Sequence, residues 1–146
     1  MSAYDPEQLE AGFRSMSMLA GLVARGGRPA SVSPTIPLRA GEKQFGWFPV
    51  DVTGAGRRLA VITSCRLILG GEEFSLRSVA GLRPQPDEWA LTLDVRGRGP
   101  VEIRGPWVPW LGVVLCAELY GAAWPPGYAP VIPAPRQQSR RLELAQ

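Results

Sequence analysis

Between residues 37 and 121 the apolar positions fall into short runs broken by turn residues, and the last run is a helix-length block with one charge. Seven runs hold enough β-branched, aromatic or alternating apolar residues to predict strands. They are Lys43–Val52, Arg57–Ser64, Arg66–Leu69, Glu72–Leu76, Val79–Arg83, Glu88–Val95 and Val101–Arg104. Alternation is clearest in Trp89, Leu91, Leu93 and Val95 against Ala90, Thr92 and Asp94. The breaks, Thr53-Gly54-Ala55-Gly56, Gly70-Gly71, Pro84-Gln85-Pro86-Asp87 and Gly97-Arg98-Gly99-Pro100, have the composition of tight turns. Short strands at such even spacing predict closed or nearly closed all-β packing.

The block Pro106–Tyr120 predicts a helix with Pro109 in its first turn, where no hydrogen bond is lost. Glu118 is its only charged residue, so it has no polar face and must be covered on more than one side. Covering Trp107, Trp110, Leu111, Val114 and Leu115 is worth about 1.5–3 kcal/mol each. Together that is comparable to the net stability of a small domain, roughly 5–15 kcal/mol, so this helix is expected in the core.

A second helix is predicted from Pro6 to Arg25. Asp5 is its cap, Pro6 suits the first position, and Gly26-Gly27 ends it. Leu9, Phe13, Met16, Ala20 and Val23 recur at spacings of three and four and form one apolar stripe. The stripe is expected either to pack on its own domain, against the apolar C-terminal helix, or to dock on another protein, with Met16 and Met18 as adaptable surface. The domain plan is therefore an amphipathic helix (1–25), a linker (26–36), a β domain (37–121) and a Pro-rich extended tail (122–146), whose Pro130-Val131-Ile132-Pro133 resembles a polyproline ligand.

Charge narrows the partner classes. Lys and Arg total 16 against 13 acids, a net of +3, but residues 37–121 carry ten basic and nine acidic groups. A domain so nearly neutral offers no broad basic face for nucleic acid. The acidic N-terminus is unlike a secretory leader, and no apolar run approaches the roughly 20 residues of a membrane span. A cytoplasmic protein, with membrane association left open, is the expectation.

Candidate chemistry is sparse. The sequence contains no histidine, which removes Ser-His-Asp and Cys-His catalysis and the usual zinc sites. Cys65 and Cys116 are read as inert core residues, and Glu72-Glu73 and Asp87-Glu88 as solvated turn carboxylates. Gly54-Ala55-Gly56 leads into a strand, so it is a hairpin turn and not a dinucleotide fingerprint. No catalytic residue, metal or cofactor is expected.

Three segments carry a family resemblance. Leu38-Arg39-Ala40-Gly41-Glu42 is similar to a leading "GE" before strand one; Leu59 to Leu69 looks like a hydrophobic run followed by T-x-x-R-L; and Phe74 to Val79 looks like the strand after it. With seven strands and one apolar helix, residues 37–121 resemble the pleckstrin-homology-like (PH-like) fold, especially the small bacterial PH-like domains. The resemblance implies a seven-stranded antiparallel barrel or sandwich closed by the C-terminal helix, and an interaction or membrane-associated module without shared catalytic residues. The expected function is thus a non-catalytic adaptor binding an unidentified protein through a sheet edge or the N-terminal helix (Leu9, Phe13, Met16, Val23). The alternative is attachment to an anionic membrane surface through Lys43, Arg57 and Arg58. An unpaired edge strand would also permit a homo-oligomer.

Overall fold

The computed structural model describes residues 4–128. The N-terminal helix α1 (Pro6–Ala24) begins where the sequence directs, with the Asp5 carboxylate accepting the Glu7 N–H. Seven strands follow: β1 (Gln44–Val52), β2 (Gly56–Thr63), β3 (Arg66–Leu69), β4 (Glu72–Ser75), β5 (Val79–Gln85), β6 (Ala90–Val95) and β7 (Gly99–Arg104). Helix α2 (Val108–Tyr120) comes last and stops at Gly121, whose left-handed backbone (φ 65°) lets its N–H reach the Ala117 carbonyl.

All strand pairs are antiparallel, in the order β4-β3-β2-β1-β7-β6-β5. The sheet is not closed, contrary to the barrel the strand spacing predicts: β4 and β5 are its two edges. Only the short 3-10 turn Leu76–Ser78 separates those edges in sequence, so the sheet bends round on itself without a ladder across the gap. At the middle of the order β1 and β7 pair only through Asp51–Arg104 and Val52–Ile103, so they splay apart elsewhere. Helix α2 packs against β5 and β6, and from it the Trp110 ring reaches β1, where it packs edge-on against Phe48, centroids 5.9 Å apart, and closely approaches Gly46.

Helix α2 is buried as its composition requires. Leu111, Val113, Val114, Leu115 and Cys116 have no exposed surface, and Trp107 and Trp110 pack half-buried against the same core. Its other flank receives α1, whose Met16, Leu19 and Val23 join that core with Leu9 also buried. Trp89 fastens the N-terminal half of α1: its indole N–H donates to the Leu9 carbonyl, and its ring meets Phe13 at 6.4 Å. To do so Trp89 adopts a left-handed backbone (φ 50°), so the strand predicted from Glu88 starts at Ala90. Strand β5 runs on through Pro84, where a turn is predicted, because Pro84 sits on an edge strand that lacks a further partner.

Residues 26–36 are irregular, as their composition predicts, yet tied to the domain. Arg28 donates to the Ala117 carbonyl, Val32 N–H to the Gln44 carbonyl, and Thr35 exchanges two hydrogen bonds with the buried Gln44 amide. The predicted tail begins differently: Ala123 is buried and Trp124 packs on the core, with its ring 6.0 Å from Tyr128. Residues 129–146, including Pro130–Pro133, lie outside the described residues.

The contact between α1 and the start of α2 leaves no space at Gly12, where an added Cβ would stand 1.9 Å from the Pro106 carbonyl oxygen. Gly12→Ala is therefore expected to cost about 1–3 kcal/mol, measured by urea unfolding. Gly21→Ala meets only the flexible Arg25 side chain at 3.5 Å, and is expected to stabilise by up to about 1 kcal/mol through helix propensity.

Candidate functional site

The outer side of α1 is apolar as well. Ser15, Met18, Leu22 and Arg25 follow one another at helical spacing along the face turned from the core. Together with the 29–32 segment they form the two walls of a groove of about 550 Å³, floored by Leu19, Phe45 and Trp110. Met18 is 70 % exposed, Leu22 42 % and Val32 44 %. Scattered exposed apolar side chains are ordinary on a protein surface. Three around one concave apolar floor are not scattered, and such clusters are where partners bind.

The groove exists because two neighbouring constraints fix its walls. The α1–α2 contact sets the helix, and the Val32–Gln44 hydrogen bond holds the opposite wall against the start of β1. Gly46 lies beneath the Trp110 ring, at 3.0 Å from where its Cβ would be, so a larger residue there would push the indole out of place.

A second cleft, about 410 Å³, lies where the β1–β2 hairpin meets β5, β6 and β7. Its charged side chains have partners already: Arg83 with Asp94, Arg98 with Glu72, and Glu102 with Thr53 and Arg104. Nothing charged is left over to select a ligand. The sheet edges are also poor contact surfaces. β4 is short and carries Glu72 and Glu73, while β5 has a register shift between Val79 and Gly81 and then Pro84, all features that discourage a further strand.

The residues expected to bind partners are divided by the fold. Leu9, Met16 and Val23 are buried and Phe13 is half-buried against Trp89, so the stripe packs on its own domain. The surface α1 presents is the opposite one, with Met18 and Leu22. Lys43 precedes β1, whereas Arg57 pairs with Asp51 at its other end, so about 26 Å of strand separates them. Arg57 and Arg58 are adjacent, but Arg57 also faces the Asp51 carboxylate at 3.8 Å. Lys43, Arg57 and Arg58 therefore do not converge on one headgroup. Asp51 also accepts a hydrogen bond from Tyr4, whose hydroxyl is pushed up to about 12 by burial and then by that carboxylate.

The cysteines separate too. Cys116 is fully buried, and burial pushes its thiol up to about 12, which leaves it protonated and inert. Cys65 is exposed in the β2–β3 turn, contrary to the core position read from the sequence, because Thr63 and not Cys65 turns inward there. Among the described residues no group of three or more His, Cys, Asp or Glu is placed to hold a metal ion. No helix among them is long and apolar enough to cross a membrane.

The residues that carry the family resemblance meet in one buried cluster. Arg66 Nε and Nη2 donate to the two oxygens of Glu42 at 2.8 and 3.1 Å, and Thr63 Oγ1 donates to the same carboxylate at 2.5 Å. Thr63 Oγ1 in turn accepts the N–H groups of Cys65 and Arg66, and Arg66 also reaches the Pro37 carbonyl. The cluster pins residues 37–42 to the β2–β3 turn, which is a structural role. No protein-family model matches the chain, and no curated protein matches it.

Hydrogen bonds from Arg66, with Thr63 and the Arg39 N–H adding to them, lower Glu42 from its ordinary 4.5 to about 2. A carboxyl depressed on folding stabilises the protein above its unfolded value, and that contribution is lost as pH falls from about 4.5 toward about 2. Glu42→Gln is expected to destabilise by about 1–3 kcal/mol at neutral pH, because it weakens the charge-assisted hydrogen bonds from Arg66 and Thr63 and leaves Arg66 with the half-exposed Glu73 as its counter-charge. Urea unfolding between pH 7 and 2.5 checks both effects: the variant should show a shallower acid limb than the parent.

Proposed function

We propose that the protein is a non-catalytic protein-interaction module of PH-like architecture, which receives an apolar segment of a partner protein in the groove beside α1. The observation that carries this is the exposure of Met18, Leu22 and Val32 around a floor of Phe45 and Trp110. Exposed apolar surface that converges on one concavity is costly in water and is relieved by a partner.

Three features support protein over other ligands. The groove is wide open and has almost no polar side chains, so it lacks the convergent donors that orient a small molecule. It lies on an ordered helix and a pinned segment, which limits the entropy lost on docking. The absence of histidine from the sequence, and the burial of Cys116, argue for binding without turnover.

Met18 and Leu22 point outward, so Met18→Glu with Leu22→Glu is expected to leave the unfolding midpoint nearly unchanged, within about 0.5 kcal/mol of stability. Placing two carboxylates in an apolar contact should cost about 2 kcal/mol or more of binding, roughly thirtyfold in affinity. Affinity capture with the full chain and with this double variant checks it. A stoichiometric protein held by the parent and lost by the variant is the expected result; equal recovery by both contradicts it.

A further inference from the structure

Charge is distributed unevenly along the groove. The N-terminal half of α1 carries Asp5, Glu7 and Glu10, with Glu10 paired to Arg14. The other end carries Arg25, Arg28 and Lys43, and none of these makes an ion pair among the described residues. Arg25 lines the groove itself. Arg28 precedes the Pro29 wall and reaches the Ala117 carbonyl, seven residues and about 10 Å along α2 from Trp110. Lys43 adjoins Gln44, whose carbonyl holds Val32 in place. Glu118 is a half-buried acid within the electrostatic reach of both Arg28 and Lys43, while Glu42, next to Lys43 in the chain, is already held by Arg66. Three exposed cations thus cluster at this end, and two of them act on one partly buried carboxyl.

From this arrangement, and resting on the protein-binding role proposed above, we infer that the occupant of the groove is a short apolar segment of another protein, flanked by Asp or Glu on the side that meets Arg25, Arg28 and Lys43. The wall from Ser15 to Arg25 is about 15 Å long, which matches three helical turns or about five extended residues. Apolar side chains of the segment cover Met18, Leu22 and Trp110, while the acidic flank sets direction. Charge at the rim of an apolar contact contributes mainly to orientation and encounter rate, and so it is sensitive to salt. An anionic membrane fits less well: the same helix would present Glu7 and Glu10 to it, and a flat bilayer does not fill a concave floor.

Selection of a random peptide phage library on the immobilised full chain tests this without a known partner. The expected outcome is a family of peptides with two or three large apolar residues followed or preceded by Asp or Glu. A synthetic peptide from that family should lose roughly tenfold in affinity on raising salt from ~0.05 to ~0.5 M, and a comparable factor with Arg25→Glu plus Lys43→Glu. It should be lost altogether with Met18→Glu plus Leu22→Glu. Selected peptides that are apolar without acids, and that bind the charge-reversed variant equally, overturn the acidic flank and leave the groove as the docking site. Peptides indifferent to Met18→Glu plus Leu22→Glu, or no enrichment at all, overturn both. Binding to vesicles containing ~30 % phosphatidylserine, abolished by the same apolar substitutions and unaccompanied by peptide enrichment, assigns the surface to lipid and overturns the protein occupant.

Discussion

Helix α2 has no polar face, and a helix without one is stable in water only when something covers every side of it. The sheet alone cannot do so: it covers one side of α2, through β5, β6 and the Phe48–Trp110 contact with β1, and leaves the other flank bare. α1 covers that flank. Met16, Leu19 and Val23 join Leu111, Val114 and Leu115 in one continuous core, and the contact is close enough that Gly12 lies directly against the Pro106 carbonyl. The domain is thus a curved sheet, a buried helix and a covering helix, each needed by the next.

From that covering role comes the candidate site. A helix that turns Met16, Leu19 and Val23 inward turns Met18 and Leu22 outward, and the segment following it is hydrogen-bonded to Gln44 so that Val32 faces them. Trp110 is left half-buried as the floor between. Packing demands on the inner side therefore place an apolar concavity on the outer one. The cations at its far end make no ion pair among the described residues, although Arg28 is held by the Ala117 carbonyl, whereas Glu42 and Arg66 neutralise one another in a buried pair elsewhere.

Much of the fold was legible in the sequence, since turn chemistry and apolar runs are local signals. The strands occupy nearly the stretches that the apolar runs predict; β6 begins two residues late because Trp89 leaves the strand to hold Leu9 and Phe13. The capped start of α1 and its stop before Gly26-Gly27 were readable for the same reason. Closure of the sheet was not, because pairing between β4 and β5 depends on a distance across the molecule and not on either strand's composition. The apolar stripe of α1 was visible, but Gly12 and Leu19 were needed to show which way it faces. Met18 and Leu22 lie off that stripe, and two such positions on an otherwise amphipathic helix were the available hint of a second apolar surface. Nothing local connects them to Val32, Phe45 and Trp110, which only the tertiary arrangement brings together.

The central claim is that α1 belongs to the domain's cooperative unit, because α2 needs it. Native-state hydrogen exchange on the full chain tests that most directly. The amides of Met16, Leu19 and Val23 should exchange at the same free energy as those of α2 and of β2, opening only with the whole domain. Rapid exchange across α1 while α2 and β2 stay protected would contradict the claim, and would return the buried stripe to solvent and to other partners.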